Sequence, residues 1–488
     1  MKNIFKFCAF LAFFCILSCR KDAPGIDVKE GMNVVGYVRD DSGAPVSGAV
    51  VSDGHTCVAT DADGIYQMKV PSGTRKVFVS VPSGYDIPMS SSGLPKIYNS
   101  FVLMKDKPVQ SDFTLSRSGG VEDFTLFVLA DVQLEHDNAC AEFEDRIMPE
   151  ILRYTSTLQG PVIGLSLGDM VWDQMDYMAG SYAGQIVKLG FPVFHVIGNH
   201  DYDVRALTLE DADNVFENTF GPVNWSFNYG QCHFIGINNI TYTPQDKANY
   251  KREVSESTLE WLRQDLSYVP KDRLVILSMH APSQRRDQPY STSYLTNCEK
   301  LYDALDGYKV VIMSGHLHHN YTYTVSDDII EHNHASLMGN DWDNNAPGLC
   351  NDGSPRGFTI YSISGNRLTD NYYKGALTDR DYQMEIYAPG EYDSQAGKGN
   401  FSSIRKNDMV VNIFNWHTDW TVKVDEDGEV TELSEDNIKA QDLNAYKLNF
   451  SFATDHIFRY APKSENWKKI TVTAKDPYGN EYTDYISH

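Results

Sequence analysis

Several features are missing from this 488-residue chain, and each absence narrows the possible classes of protein. No internal repeat, low-complexity tract or Cys-x-x-Cys pair occurs, so the chain is neither a repeat protein nor a carrier of the usual cysteine metal site. The formal net charge of the chain is −24, and its sequence contains no stripe of basic residues. We therefore expect no nucleic-acid-binding patch. Acidic residues are spread along the chain, which is typical of a well-solvated surface.

The N-terminal apolar stretch, FCAFLAFFCIL, is too short to span a membrane. Two lysines precede it, and this pattern predicts a secretory signal over residues 1–18. Removing that segment deletes the two lysines and no acids, which changes the net charge from −24 to −26. The mature chain is then long enough for two to four domains.

The signal ends in Leu17-Ser18-Cys19, which resembles the processing site of bacterial lipoproteins. That resemblance implies that Cys19 becomes the lipidated N-terminus and anchors the protein to a membrane. We expect a location in the cell envelope, on the periplasmic side or the cell surface, with the outer membrane as the favoured membrane. An ordinary signal peptide with another cleavage point is the alternative.

The cysteines beyond the signal and Cys19 are odd in number, and their spacing assigns no pairing. They are Cys57, Cys140, Cys232, Cys298 and Cys350. Buried free thiols are the favoured interpretation, and one or two disulfides are the alternative.

Hydrophobic periodicity divides the mature chain into a tether at residues 19–31 and three domains at 32–117, 121–378 and 379–488. Short alternating runs predict that the first and third domains are all-β. In the middle domain, strands alternate with helical segments such as VSESTLEWLRQDLSYV, which predicts a layered α/β fold.

The first domain resembles the carboxypeptidase-regulatory-like, transthyretin-type β-sandwich. The matching positions are Gly36, Gly43, Pro45, Gly48, Ala49, Thr60, Asp61, Gly64 and Tyr66. The resemblance implies a spacer or an interaction module. Calcium binding by Asp61 and Asp63 is an alternative to the turn that we expect there.

Five segments of the middle domain carry the chemistry, and each closes an apolar run that predicts a buried strand. The runs TLFVLA, VIGLSL, PVFHVI, LVILSM and KVVIMS precede Asp131-Val132-Gln133, Gly168-Asp169, Gly198-Asn199-His200-Asp201, His280 and Gly315-His316-Leu317-His318, in that order. Polar residues at the C-terminal ends of strands meet at a sheet edge. Carboxylate, amide and imidazole groups gathered there predict a centre for two divalent ions, which suits phosphoester hydrolysis.

These segments resemble the calcineurin-like metallophosphoesterases over about 250 residues. The resemblance implies a four-layer α/β sandwich, with β-sheets flanked by helices and with flanking all-β domains. It also implies that Asp169 bridges two ions, that Asp131 and His318 bind the first, and that Asn199, His280 and His316 bind the second. His200 would lie near the leaving oxygen, oriented by Asp201 or Asp173.

The chain departs from the family pattern at Gln133, where histidine is usual. A glutamine oxygen is a harder ligand than imidazole and favours manganese, magnesium or iron over zinc at the first site. His136 is an alternative ligand. The acid after Gly-Asp is also displaced, to Asp173, which leaves its role in orientation or substrate binding open.

Other candidates lie outside the five segments. Arg356, in a turn-rich loop, is a candidate phosphate ligand, and an exposed loop residue is the alternative. His319 is expected at the surface. His332 and His334 form a second His-x-His pair, which we expect to be structural.

The function expected is metal-dependent hydrolysis of a phosphorylated small molecule, lipid or glycan, as a monoester or a diester. The cofactors expected are two divalent ions drawn from manganese, iron, zinc and magnesium. An alternative is a surface protein with little catalytic activity that binds glycan or peptide through the aromatic residues of the flanking domains.

Overall fold

A computed structural model of the protein describes residues 25–105, 107–244, 246, 249–284, 293–339 and 348–488. The predicted signal segment and Cys19 lie outside these ranges. No helix within them is both long enough and apolar enough to cross a membrane.

The N-terminal part forms two four-stranded sheets, β4-β1-β7 with β8 also paired to β1, and β3-β2-β5-β6. Its strands are β1 Val34–Asp40, β2 Val50–Ser52, β3 Cys57–Ala59, β4 Ile65–Met68, β5 Lys76–Ser80, β6 Tyr98–Ser100, β7 Val109–Gln110 and β8 Phe113–Leu115. The Asp61 carboxylate accepts hydrogen bonds from the backbone of Asp63 and Ile65, so Asp61 makes the expected turn. Gly36 is required because a Cβ there would lie 2.0 Å from the Ser111 carbonyl oxygen.

The middle part contains two larger sheets, ordered β11-β10-β9-β20-β21 and β12-β13-β16-β17-β19-β18, and the small pair β14-β15. The strands are β9 Asp123–Leu129, β10 Val162–Ser166, β11 Val193–His195, β12 Trp225–Tyr229, β13 Cys232–Gly236, β14 Ile240–Thr241, β15 Lys251–Arg252, β16 Leu274–Ser278, β17 Lys309–Ser314, β18 Tyr321–Thr324, β19 Ile329–Asn333, β20 Gly357–Ser364 and β21 Arg367–Gly375. The α-helices are α1 Asp137–Glu142, α2 Met148–Thr155, α3 Ala183–Ile186, α4 Leu209–Ala212, α5 Asn214–Phe220, α6 Glu256–Leu266 and α7 Cys298–Leu305. Phe143–Ile147 and Met178–Tyr182 are π-helical, and Val187–Leu189 is a 3₁₀ turn.

The two large sheets pack face to face between helices, which confirms the predicted layered α/β fold. Leu126 and Val128 of β9 share one core with Phe234 of β13 and Leu277 of β16. Phe127, on the opposite face of β9, packs in a second core together with residues of α1 and α2. Alternate side chains of a strand point to opposite faces, so β9 serves both cores.

The five predicted strands exist, but they belong to two different sheets. β9, β10 and β11 run parallel in the first sheet, whereas β16 and β17 run parallel in the second. Their C-terminal ends therefore meet across the junction between the sheets and not along one edge.

The N-terminal part packs directly on the second sheet and on α6. Trp261 is fully buried, and its indole N–H donates to the Ser52 hydroxyl at 2.9 Å. Its ring meets Phe78 edge to face at 6.4 Å. Because Ser52 and Phe78 lie in the N-terminal sheets, these two parts share one continuous core.

The C-terminal part forms two antiparallel four-stranded sheets, β22-β23-β27-β26 and β25-β24-β28-β29. Its elements are β22 Met384–Tyr387, a 3₁₀ turn Gly399–Phe401, β23 Met409–Ile413, β24 Thr421–Glu426, β25 Glu429–Glu432, β26 Asn437–Ala440, α8 Leu443–Lys447, β27 Thr454–Tyr460, β28 Lys469–Lys475 and β29 Glu481–Ser487. Trp416, Trp420 and Trp467 are buried in its core. These tryptophans therefore stabilise the fold and do not offer a surface for glycan or peptide.

The five cysteines of the mature domains are all buried and free in the structure. Buried thiols, the favoured interpretation of their spacing, are thus confirmed.

Candidate metal centre

Backbone strain is concentrated where the predicted site residues follow their strands. Six non-glycine residues there have φ between 51° and 74°, in the left-handed region: Asp131, Gln133, Asp169, Asp173, His316 and His318. Such conformations cost of the order of 1–3 kcal/mol each and persist where the surrounding structure enforces them, often at functional sites. The strained backbone at the sheet junction indicates that the fold holds these side chains in particular positions there.

One cluster of ligand atoms surrounds the Nε2 atom of His280. Asn199 Oδ1 and His316 Nδ1 each lie 3.1 Å from it, and Asp169 Oδ1 lies 3.4 Å away. The other ring nitrogen, Nδ1, is 2.7 Å from the Leu167 carbonyl oxygen, to which its N–H donates a hydrogen bond. When the ring is neutral, Nε2 therefore presents a lone pair to the cluster, as a metal ligand must.

Burial alone would lower the pKa of His280, but the adjacent Asp169 raises it to about 9. The cluster therefore attracts positive charge. Asp169, His280 and His316 offer three ligand atoms within 4.8 Å of one another.

A second group of acceptor atoms lies on the other side of Asp169. Asp131 Oδ1 and Gln133 Oε1 are buried and have no hydrogen-bond partner among the described residues. His318 Nε2 lies 3.4 Å from Asp131 Oδ1, without the geometry of a hydrogen bond. The Gln133 amide nitrogen, Nε2, donates to the other carboxylate oxygen, Asp169 Oδ2, at 3.1 Å.

Both groups fit divalent cations. An unpaired buried acceptor is costly unless a cation or a donor satisfies it, and the ligand atoms here are carboxylate, amide and imidazole. Asp169 faces the His280 cluster with Oδ1 and the Gln133 group with Oδ2. All predicted metal ligands are therefore brought together, with Asp169 between them.

His200 lies beside this cluster and is oriented by Asp173. Its Nδ1 is 3.0 Å from Asp173 Oδ1, and its ring stacks on Trp172 at 3.8 Å between centroids. Burial opposes protonation of the ring, but Asp169 and then Asp173 outweigh burial and raise the pKa of His200. A raised pKa favours a role as proton donor.

Three family profiles match consecutive parts of the chain. The N-terminal part of the calcineurin-like phosphoesterases matches residues 32–118, the calcineurin-like phosphoesterase profile itself matches 124–320, and the C-terminal part matches 331–482. Together they cover most of the chain. This protein belongs to the calcineurin-like phosphoesterases. It is accordingly a hydrolase of phosphoester bonds, and the family implies divalent metal ions.

Solved structures similar to this phosphoesterase include a dimetal phosphatase from Danio rerio, with 15% identity, 53% of this chain and 98% of that chain covered, and a TM-score of 0.37. A 5'-nucleotidase from Candida albicans has 11% identity, covers 54% of each chain and has a TM-score of 0.34. The NAD nucleotidase of Haemophilus influenzae has 12% identity, covers 52% of this chain and 50% of that chain, and has a TM-score of 0.32. No protein of curated function matches the chain.

Asp201, the other acid expected to orient His200, holds the backbone of the phosphoesterase site. Its carboxylate accepts from the N–H groups of Asp169, Met170, Val171 and Gly198, at 2.7–3.2 Å. Burial, and then Asp169, raises the pKa of Asp201 to about 7. These contacts position Asp169, whereas the orienting contact to His200 comes from Asp173.

Several other candidates lie in structural roles. The Arg356 guanidinium, a candidate phosphate ligand, is buried in an ion pair with Glu142, so the alternative of an exposed loop residue does not hold. His136 caps α1 by accepting from the Ala139 N–H, and His334 contacts Ser314 and Tyr361. The prediction of a surface position for His319 was wrong, because its ring packs on Phe452 and is 2% exposed.

Sequence reasoning missed Asn239 and Arg252. Asn239 Oδ1 accepts from the backbone N–H groups of His280 and Ala281, and its Nδ2 donates to the Ala281 carbonyl. The signal was present, since HFIGI before Asn238-Asn239 is another apolar run closed by a polar residue. Arg252 donates from Nε to His316 Nε2 at 2.9 Å. Arg252 does not follow an apolar run, so no signal in the sequence indicates this residue.

The C-terminal part supports the segment that carries His316 and His318. Asn351 donates to the carbonyls of His318 and Leu317, from its backbone and its side chain. The neighbouring Asp352 is fully buried, accepts from the Asn320 N–H at 2.9 Å, and lies 3.2 Å from His456 Nε2. His456, on β27, thus holds in place a loop that contacts the metal ligands' own backbone.

Gly198→Ala should lower metal content by about 10-fold or more. The added Cβ would lie 2.1 Å from Asp169 Oδ1 and would displace the carboxylate between the two ligand groups. Elemental analysis after dialysis against manganese measures this loss. Gly184→Ala is the control, because nothing lies within 4 Å of its Cβ position. Equal metal content in both variants would show that Asp169 does not hold the ion.

His456→Ala should weaken manganese binding several-fold and reduce stability by about 1–3 kcal/mol, because it removes one of the hydrogen-bond partners of the buried Asp352 carboxylate. Calorimetric titration with manganese and denaturant unfolding measure the two effects. Lys463→Ala, which removes a half-exposed ion pair with Glu429, is the control. A loss of stability with unchanged manganese affinity would mean that the C-terminal contact does not position the ligands.

Proposed function

We propose that the protein is a two-metal phosphohydrolase of the cell envelope that cleaves phosphomonoesters or phosphodiesters. The observation that carries this proposal is the position of Asp169, whose Oδ1 lies 3.4 Å from His280 Nε2 and whose Oδ2 accepts from the Gln133 amide, beside the unpaired acceptors Gln133 Oε1 and Asp131 Oδ1. A carboxylate in that position can hold two ions about 3.5–4 Å apart, the spacing that suits phosphoester hydrolysis.

The ligands divide between two ions that share Asp169. Asp131, Gln133 and His318 would hold the first, and Asn199, His280 and His316 would hold the second. Such a pair of ions supplies a nucleophilic water near neutral pH and neutralises the phosphate oxygens. Gln133 favours manganese, magnesium or iron at the first site, because its amide oxygen is a harder donor than imidazole.

His200 would donate a proton to the leaving oxygen. Asp173 holds the Nδ1 side of its ring, and Trp172 holds the ring's face. A ring fixed on one edge and one face keeps its remaining nitrogen in a constant direction, which general-acid catalysis requires.

The location rests on the N-terminal sequence. A lipid anchor at Cys19 would place the enzyme at the membrane surface, facing the periplasm or the exterior. The first domain, proposed as a transthyretin-type sandwich, would act as an interaction module or join the anchor to the catalytic part, with which it shares a core. Phosphorylated small molecules, lipids and glycans are the proposed substrates. For the alternative of a surface glycan- or peptide-binding protein, exposed tyrosines such as Tyr478 and Tyr485 are the available aromatic residues of the C-terminal part, because its tryptophans are buried.

Assays with aryl phosphate monoesters and diesters test the proposal. Manganese-loaded protein should hydrolyse at least one ester class, and the ratio of the two rates decides between monoesterase and diesterase. Asp169→Asn is the matched inactive control, since it should lose both metal and turnover. Two bound metals with no turnover on either class would contradict the proposal, as would near-native turnover by Asp169→Asn.

His200→Ala should retain both metals and lower turnover by about 10²–10⁴-fold, the usual contribution of a positioned acid or base. The loss should shrink for esters with good leaving groups, because these need little protonation. Rates across a series of substituted aryl phosphates measure this dependence. Asp173→Asn, which keeps a hydrogen-bonding group without the charge, should show the same trend more weakly. An equal loss across the series would point to phosphate positioning instead.

Gln133→His should raise zinc affinity and shift metal preference away from manganese or magnesium, because imidazole is the better donor for zinc. Competition between zinc and manganese, followed by elemental analysis of wild type and variant, measures the preference. Turnover is a poorer readout, since a tighter ion can also retain product phosphate. An unchanged preference would show that Gln133 does not bind the metal.

A further inference from the structure

Arg252 reaches the metal centre from a hairpin that is tied to it. Strand β15 pairs with β14 through Ile240 and Arg252, and the Glu253 N–H donates to the Asn239 carbonyl at 3.0 Å. Asn239 in turn holds the backbone of His280. The backbone of Arg252 is therefore held in a fixed position relative to the metal ligands.

The guanidinium contacts two aromatic rings at this site. Its Nε donates to His316 Nε2 at 2.9 Å, and a terminal nitrogen donates to the Tyr250 hydroxyl at 2.8 Å. Its central carbon lies 4.7 Å from the centroid of the Tyr250 ring. The positive charge is thus one imidazole ring away from the cluster around His280 Nε2.

Counting protons shows that the contact with His316 cannot survive metal binding. Arginine has only donors, so His316 Nε2 must accept and its ring proton must be on Nδ1. Nδ1, however, is the atom that faces His280, at 3.1 Å, and that would bind the ion. Once Nδ1 binds a cation, the proton moves to Nε2, and two donors would then face each other.

A loaded site also brings a divalent charge close to the guanidinium. Two cations at this separation repel unless an anion lies between them. The phosphate group of a substrate is such an anion, and the planar fork of arginine matches its oxygens. Arg356 cannot serve here, because it is buried in its pair with Glu142.

We propose that Arg252 is a phosphate-binding residue of this enzyme, whose guanidinium leaves His316 for a phosphate oxygen when the metal site is filled. This inference rests on the proposed function, since it requires metal and phosphate at the same centre. It makes Arg252 a weak competitor of metal binding in the empty site and a ligand of phosphate in the filled site.

Two binding measurements on Arg252→Gln should consequently move in opposite directions. Manganese affinity of the apo protein should rise several-fold, because a competing donor and a like charge are removed. Affinity of the manganese-loaded protein for inorganic phosphate should fall about 10–100-fold, the contribution of a charge-assisted hydrogen bond. A purely structural arginine would lower both affinities together.

Isothermal titration measures both quantities on the full chain, first with manganese alone and then with inorganic phosphate. Arg252→Lys should restore part of the phosphate affinity, because it keeps the charge without the fork. Arg153→Gln, on the exposed face of α2, is the matched control and should change neither. Steady-state kinetics of Arg252→Gln should show a raised KM for aryl phosphates.

Unchanged phosphate affinity in Arg252→Gln would overturn the inference, and so would a fall in manganese affinity, which would assign Arg252 to positioning His316. Failure of the proposed function looks different. Wild-type protein would then bind manganese and phosphate without hydrolysing any ester, and the opposed shifts in Arg252→Gln would still be observed. Wild-type protein that binds no manganese, or no phosphate when loaded, would overturn the inference for Arg252.

Discussion

The placement of the Asp169 carboxylate is the constraint on which the rest of the site depends. Asp169 is buried, and Asp131 Oδ1 and Gln133 Oε1 are buried near it without a hydrogen-bond partner among the described residues, an arrangement that is unfavourable unless a cation satisfies these acceptors. The backbone N–H of Asp169 is bound by Asp201, whose carboxylate also binds three neighbouring N–H groups. The absence of a Cβ at Gly198 leaves room for Oδ1. A buried acid thus positions another acid, because Asp201 holds the backbone of Asp169 in place.

The flanking β-rich parts contribute to the same geometry and are not simple appendages. The N-terminal sheets share a core with the second sheet of the middle part, through Trp261 and Phe78. The C-terminal part reaches the His-x-His segment through His456, Asp352 and Asn351. Metal ligation therefore depends on packing across the whole chain, because the left-handed backbone at His316 and His318 must be held against its intrinsic strain.

The acidic surface of the protein makes positive charge at the site necessary for binding a phosphorylated ligand. The surface of the protein is acidic, with a formal net charge of −24, and such a surface repels phosphorylated ligands. Local positive charge must therefore come from within the site. The cations that the family implies would supply most of it, and Arg252 and His200, whose pKa is raised, are the side chains placed to add to it.

Much of this centre was determined by the sequence alone. The five apolar runs and the polar residues that close them are local signals, since a buried strand needs only its own hydrophobic pattern and the residue after it marks its end. Asp131, Gln133, Asp169, Asn199, His280, His316 and His318 were found in this way, with the family resemblance supplying their roles. The layered fold and the free cysteines were likewise predictable.

Tertiary structure alone decided which side chains meet. It divided the five strands between two sheets. It placed Asp173, and not Asp201, beside the His200 ring, and placed the Asp201 carboxylate on backbone N–H groups. It also buried Arg356 against Glu142 and His319 against Phe452. Arg252 lies 64 residues before His316 in sequence and beside it in space. Such contacts depend on how distant strands and loops pack, and no local pattern of hydrophobicity or charge records that packing.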